Sequence, residues 1–248
     1  MPDPRAAFSA LGGTTGALVL HGFTGSPASM RPLAEVLAAA GFSVEVPLLP
    51  GHATSPEDLS TYGYDDFIAH VERTYGELAD RCDAVVAVGL SMGGTLALDL
   101  ATRQPELAGV VVINPFAEPS APSFVALLRA ALESGTRFIP SIGSDVANKV
   151  ETSGGYDATP IAPMLSLVEA IIALAPRLPT IALPVLLFSS RVDHVVPPSN
   201  GDFLVEQLSA PLERVMLERS YHVATLDYDA ALIEEKTLEF MEKVVVAL

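Results

Sequence analysis

Hydrophobic residues in this chain come in two spacings that trade places along its length. Short strand-like runs lie at Gly16–His21, Phe42–Val46, Ala84–Leu90 and Gly109–Ile113, the last two apolar throughout and Phe42–Val46 interrupted by Ser43 and Glu45. Their length and β-branched content predict strands buried on both faces. Between them, apolar positions recur every three or four residues. Met30, Leu33, Val36 and Leu37 predict a helix over Ala28–Ala40, opened by Ser26-Pro27 and stopped at Gly41. Phe67, Ile68, Val71, Tyr75 and Leu78 predict a second over Tyr64–Asp80. A third runs from about Met92 to Arg103 and ends near Pro105. The proline and glycine of Pro47–Ser55 make that stretch a loop.

Strand and helix therefore alternate, and that alternation demands a parallel sheet covered on both faces. At Asn114-Pro115 the pattern changes. From there to about Pro179 the chain is rich in Pro, Ala, Ser and Gly, with amphipathic helices at Phe124–Leu132 and Ala162–Leu174 and no strand signal. A stretch of that length without β character predicts a separate small layer. The sheet resumes at Pro184–Ser189, and a helix at Ser199–Leu208, a strand at Glu213–Leu217 and a helix at Ala231–Val246 close the pattern. The expected fold class is α/β, with a mostly parallel central sheet and helices on both faces. Residues 1–114 and 181–248 form its core, and 115–180 a small helical cap.

Composition narrows the partners. The chain has 248 residues, half of them hydrophobic, which is enough for one large core. Its 14 basic and 30 acidic residues leave a net charge of −16, which argues against nucleic acid and anionic bilayers as partners and suits an uncharged small-molecule substrate. No run of about 18 uncharged apolar residues is present, so stable membrane insertion is not expected and any membrane contact is a transient one through the cap. The start of the chain carries two prolines and an acid where a secretion signal needs a basic, then apolar, stretch, so a cytoplasmic location is expected. Cys82, the one cysteine, reads as a small buried hydrophobe before a strand. His, Cys, Asp and Glu do not cluster at metal-ligand spacing, so neither metal nor cofactor is expected.

One apolar run carries chemistry at its end. Ala84–Leu90 passes through Gly89-Leu90-Ser91-Met92-Gly93-Gly94 directly into a helix, a G-x-S-x-G pattern at a strand-to-helix turn. Glycines two residues either side of Ser91 let strand and helix pass closely. A serine hydroxyl is a weak nucleophile near neutral pH, so it needs a base within hydrogen-bond reach and a third group to orient that base. Asp193 and His222 each fall just past the end of a later strand, in the order Ser…Asp…His expected for such an elbow. Strand ends of one parallel sheet share an edge, so three residues far apart in sequence can converge there. An oxyanion formed at Ser91 would need two donors. Met92 N–H and Phe23 N–H, the latter in the glycine turn after the first strand, are the candidates. His194 reads as structural despite adjoining Asp193, His21 as a loop brace, and His52 and His70 lie where no strand end aims them.

The stretches HGFTG (21–25), MRPLAE (30–35), PGH (50–52), GLSMGGTLAL (89–98), SIGSD (141–145), DHVVPP (193–198) and SYHVATLDYD (220–229) together resemble the bacterial monoacylglycerol lipases of the α/β-hydrolase superfamily, close to its small carboxylesterases. The resemblance implies Ser91 as nucleophile, Asp193 as orienter, His222 as base, and Phe23 and Met92 as oxyanion donors. It also implies a cap with an apolar acyl channel and a smaller alcohol pocket. A cap glutamate of that family holds glycerol hydroxyls. Here Ser153 stands at the matching position with Glu151 nearby, a departure that bears on monoacylglycerol preference. Phe124, Leu127, Leu128, Phe138, Ile139, Leu165 and Ile171 supply apolar cap surface, and Ile139 joins Glu151 and Ser153 as candidate substrate contacts. The implied activity is hydrolysis of medium- or long-chain carboxylic esters, with monoacylglycerols preferred. A short-chain carboxylesterase is the alternative, followed by a lipid-binding protein without turnover.

Overall fold

The apolar runs 16–20, 84–90 and 109–113 become strands whose alternate side chains feed two different cores, while Val44 and Val46 both enter one of them. The computed structural model describes residues 3–141, 143–149 and 154–246. Its first half contains β1 (Phe8–Ala10), β2 (Thr15–Leu20), α1 (Arg31–Ala39), β3 (Ser43–Val46), α2 (Pro56–Leu59), α3 (Tyr64–Ala79), β4 (Ala84–Leu90), α4 (Met92–Arg103) and β5 (Gly109–Ile113). The insertion that follows holds α5 (Pro122–Glu133), β6 (Phe138–Pro140), β7 (Ala158–Pro160) and α6 (Ile161–Leu174). The chain then returns to the sheet with β8 (Val185–Ser190), α7 (Ser199–Gln207), β9 (Leu212–Leu217) and α8 (Ala230–Val246).

The main sheet has the order β1-β3-β2-β4-β5-β8-β9, and every pairing except that of β1 with β3 is parallel. On β4, Val85 and Ala87 join one core while Val86, Val88 and Leu90 join the other. Val110 and Val112 on β5 part from Val111 and Ile113 in the same way. The two-residue period of a strand thus explains why these runs are apolar at every position. One face is covered by α1 and α8 through Leu33, Leu37, Ile233 and Met241. The other is covered by α3, α4, α6 and α7 through Phe67, Leu96, Ile171 and Leu204.

Several expectations need correction. The 115–180 stretch is not free of strands, because β6 and β7 pair as an antiparallel ribbon with Phe138 opposite Pro160. Three residues each, with prolines in both, are too short to show a period. The edge strand β1 went unread for the same reason. The first helix begins not at Ala28 but as a 3-10 turn, Pro27–Ser29, followed by α1 from Arg31. Pro32 has no N–H to offer the carbonyl four residues back, so the α ladder starts around it. One segment, Ile161–Thr180, has the length and composition of a membrane-crossing helix, with a mean hydropathy of 1.7, but Glu169 and Arg177 interrupt it, so the expectation of no uncharged apolar run stands. In the fold its apolar side is spent on the protein: Leu167, Ile171, Leu174 and Leu178 enter the main core.

The insertion also has a core of its own. Val125, Leu128, Ile161 and Val168 form a small separate cluster where α5 and α6 meet. α6 therefore serves two masters, one row of side chains on the sheet side and one on the α5 side.

Candidate active site

The turn from β4 to α4 is set by sterics. Ser91 has φ 55° and ψ −120°, a conformation that costs an L-residue of order 1–3 kcal/mol and persists only where its surroundings force it. The flanking contacts show the force. A Cβ on Gly89 would lie 2.1 Å from Gly93 O, and one on Gly93 would lie 2.2 Å from Leu20 O. The helix start is therefore pressed against both its own strand and the end of β2, and the Ser91 N–H is tied to Ile113 O at 3.0 Å. Ser91 is left at the sheet edge, lining a cavity of about 300 Å³.

The candidate base reaches that cavity from the loop after β9, and the candidate acid stands behind it in the loop after β8. After β8, both N–H groups of Val195 and Val196 donate to Asp193 Oδ1, at 2.9 and 2.8 Å. That fixes the carboxylate and leaves Oδ2 to meet His222 Nδ1 at 2.7 Å. The pair is buried, with side-chain exposures of 2 % and 7 %. An ionised carboxylate can only accept, so Nδ1 carries the ring proton and Nε2 keeps its lone pair for the cavity, which His222 also lines.

His222 is held by partners that the sequence did not announce. Asn114, at the end of β5 with φ 44°, donates from Nδ2 to His222 O at 2.8 Å and accepts Ser190 N–H on Oδ1 at 2.7 Å. One side chain thereby ties the ends of β5 and β8 to the His222 loop. Asp229 Oδ2 accepts the N–H groups of Arg219 and Ser220, and Asp227 Oδ2 accepts that of Tyr221. Asp145 Oδ2 accepts His222 N–H at 3.2 Å. Asn114 directly follows β5, where a short acceptor commonly caps a loop, whereas Asp145, Asp227 and Asp229 lie well past the strands before them and carry no such signal.

The opposite wall of the cavity is the turn after β2, closed by Gly25 N–H to Gly22 O at 3.2 Å. Gly22 is close enough that a Cβ there would lie 3.3 Å from Ser91 Cβ. Phe23 lines the cavity. Met92 opens α4, so its N–H belongs to the first turn, whose donors have no acceptor within the helix. His21 braces this turn as expected. Its Nε2 accepts Leu49 N–H at 3.2 Å, so Nδ1 is the protonated nitrogen and donates to Gly22 O at 3.0 Å. Burial, and then the neighbouring His52, lower the His21 pKa to about 3. His52 is more than a loop residue. It is buried with its ring 4.9 Å from that of His21 and 5.4 Å from Phe67, and burial lowers its pKa to about 4. His70 is on the exposed side of α3, 2.7 Å from an Arg73 nitrogen.

The remaining cavity wall is apolar and comes largely from the insertion: Phe116, Phe124, Met164, Leu167 and Val168, facing Val196 and Val223. Ile139 is not among the lining residues, and packs instead against the Val125–Leu128 cluster. Glu151 and Ser153 lie outside the described residues. The arrangement is able to attack an acyl carbonyl from Ser91, hold the resulting oxyanion on backbone donors and seat an apolar acyl chain under α5 and α6.

Known proteins share the fold that carries this site. The alpha/beta hydrolase family model matches residues 17–235, most of the chain. This chain belongs to the alpha/beta hydrolase family. Within it, the chain is 44% identical to a thermostable monoacylglycerol lipase of Bacillus sp. (strain H-257) over 237 residues, covering 95% of this chain and 94% of that one. It is 27% identical to a carboxylesterase of Bacillus subtilis (strain 168) over 239 residues, 95% of this chain and 96% of the relative. Among solved structures, one described for LipS and LipT, two metagenome-derived lipolytic enzymes, superposes with a TM-score of 0.92 at 38% identity, covering 98% of this chain and 99% of that one. The Paleococcus ferrophilus monoacylglycerol lipase superposes at 0.78 with 17% identity over 96% of this chain and 98% of its own, which speaks to the shared fold.

Proposed function

We propose that this alpha/beta hydrolase is a serine ester hydrolase acting on carboxylic esters of medium- and long-chain fatty acids, with monoacylglycerols preferred. Ser91 Oγ attacks the ester carbonyl while His222 Nε2 takes its proton and passes it to the leaving alcohol. Asp193 holds the imidazole in the required tautomer, and the N–H groups of Phe23 and Met92 hold the oxyanion. Water then enters by the same route and releases the fatty acid. Residues 115–180 act as a cap over this site. The observation that carries the reading is the convergence, on one apolar cavity, of a strained Ser91 and a buried His222–Asp193 pair. Each methylene buried under α5 and α6 adds about 0.8 kcal/mol, so an acyl chain gains affinity with length until the cavity is full. The 44% identical relative supports monoacylglycerol as the preferred ester. The net charge of −16 and the single Cys82 fit an uncharged substrate met inside the cell.

The test is reaction with a fluorophosphonate probe, paired with an ester series from two to twelve acyl carbons and with mono-, di- and triacylglycerols. Labelling abolished by Ser91→Ala, and a kcat/KM that climbs with chain length and favours the monoacyl substrate, are expected. A flat or falling chain-length series would move the assignment to a short-chain carboxylesterase. An unlabelled wild type would remove ester hydrolysis altogether.

A further inference from the structure

One carboxylate next to the site belongs to the cap yet takes its partners from both catalytic loops. Asp145 sits in the SIGSD stretch between β6 and β7, and its side chain is 10 % exposed. Its Oδ2 accepts the backbone N–H of His194 at 3.0 Å and that of His222 at 3.2 Å. Its Oδ1 meets His194 Nδ1 at 2.8 Å, and its carbonyl accepts Val223 N–H at 3.0 Å. Asp145 also lines the cavity beside Ser91 and His222. The lacing runs both ways. From the core side, Asp227 accepts Tyr221 N–H and reaches back to the N–H groups of Ala147 and Asn148, at 2.7 and 3.0 Å.

We propose that Asp145 is a positioning residue, a cap-borne clamp that fixes the loop of the base His222 relative to the loop of Asp193 and so couples cap placement to proton transfer at Ser91. Two loops leave the sheet at β8 and β9 with no ladder between their tips. Each of the backbone donors next to the acid and on the base needs an acceptor, and one carboxylate oxygen supplies both. A single atom shared by two loops sets their separation in a way that two independent acceptors would not. General-base transfer is steep in that separation: a misplacement near 1 Å costs about 10²-fold. Because the clamp arrives from the insertion, the base is fully set only when residues 143–148 are seated over the cavity that Gly143 and Asp145 help to line.

The proposal rests on the reading of Ser91 and His222 as nucleophile and base, and the test separates the two. Fluorophosphonate labelling gives two readouts, an endpoint that counts folded sites and a rate that reports activation of Ser91 by its base. Asp145→Ala is expected to reach the wild-type endpoint with a labelling rate and a kcat lowered by about 10²-fold, and a KM close to wild type. Asp145→Asn keeps one oxygen to accept both N–H groups and is expected to restore most of the rate. His194→Ala, at a side chain that is 55 % exposed, should change little. A wild-type rate in Asp145→Ala overturns the clamp, as does an equal loss in Asp145→Asn, which would mean that charge alone matters. A lowered endpoint with an unchanged rate overturns it too, because the residue would then serve only folding. Failure of wild type to label at Ser91 is a different result and strikes the underlying reading instead.

Discussion

The sheet edge that carries Ser91 and the insertion that roofs it are built under opposite constraints. At the edge, added atoms have nowhere to go: a Cβ on Gly89 or Gly93 would meet backbone at 2.1 and 2.2 Å. In the insertion, Gly135, Gly143 and Gly154 have positive φ and nothing within 4 Å of the same hypothetical atom. The edge rests on two large cores, one on each face of the sheet. Among the described residues the insertion adds the small cluster of Val125, Leu128, Ile161 and Val168, and is otherwise anchored through α6 and through hydrogen bonds such as those of Asp145 and Tyr156 to core loops. Chemistry that needs sub-ångström placement sits where packing leaves one solution. On the proposed function, selectivity among acyl chains falls where packing leaves several.

The largest test of that division is removal of the nucleophile. On the proposed mechanism, Ser91→Ala should lower kcat by roughly 10⁴-fold or more with the fold and melting temperature intact, since nucleophile, base and orienter act as a unit and loss of the first removes covalent catalysis. A residual rate within tenfold of wild type would mean that another group performs the chemistry. Next comes the steric contrast. Gly93→Ala should cost roughly 4 kcal/mol or prevent folding, because the clash is with the carbonyl of Leu20 and not with a movable side chain. Gly143→Ala meets only the strain of φ 79° and should cost about 1 kcal/mol. Chemical denaturation of both variants compares them directly, and similar losses would erase the distinction between rigid edge and yielding roof.

A smaller effect is written in the histidines under the Phe23 turn. His21 and His52 are buried with pKa values lowered to about 3 and about 4 from an ordinary 6.5. The unfolded chain takes up a proton at each as pH falls past 6.5, while the fold resists until near those lowered values. Their contribution to stability is therefore complete above pH 6.5 and is lost progressively below it, by about 1.4 kcal/mol per pH unit for each ring. Near pH 5 that amounts to about 2 kcal/mol each. The melting temperature should fall between pH 6.5 and 5, before most carboxylates titrate, and His52→Gln should fall less steeply. A flat wild-type profile over that window would show that neither ring is confined as the structure has it.

What could be read from the chain follows the same line. Ser91, Asp193, His222 and the Phe23 turn each follow an apolar run, so strand ends alone bring them to one edge. Asn114 follows an apolar run too, at the end of β5, and Asp145 lies in a loop of the insertion, but neither carries a motif that names its partners. Their roles depend on three loops meeting in space, and a single Asn-Pro or Ser-Asp in a loop looks like ordinary turn chemistry. The strands β6 and β7 are too short to show alternation. Ile139 was legible as apolar and no more: periodicity tells that a side chain is buried, not whether it faces the cavity or the Val125–Leu128 cluster. The burial of His52 is not legible, because a proline- and glycine-rich loop ordinarily lies on the surface, whereas this one is folded under the Phe23 turn.

The finest prediction concerns a residue whose two sides belong to the two regimes. Phe124 lies on α5, 38 % exposed, and yet lines the cavity with Phe116 and Met164. Truncating it removes little from either core, so Phe124→Ala should leave the melting temperature within a degree or two. What it removes is apolar wall at the roof, and only a chain long enough to reach α5 will notice. Loss of one such contact is worth about 1–2 kcal/mol, so kcat/KM for esters of ten to twelve carbons should drop roughly 5- to 30-fold while esters of two to four carbons are unaffected. Equal losses across the series would show that Phe124 positions the ester itself, and that the roof reaches closer to Ser91 than its loose packing suggests. Equal retention would mean that long chains leave the cavity by another side, past Val196 and Val223, where the wall belongs to the sheet edge and not to the insertion.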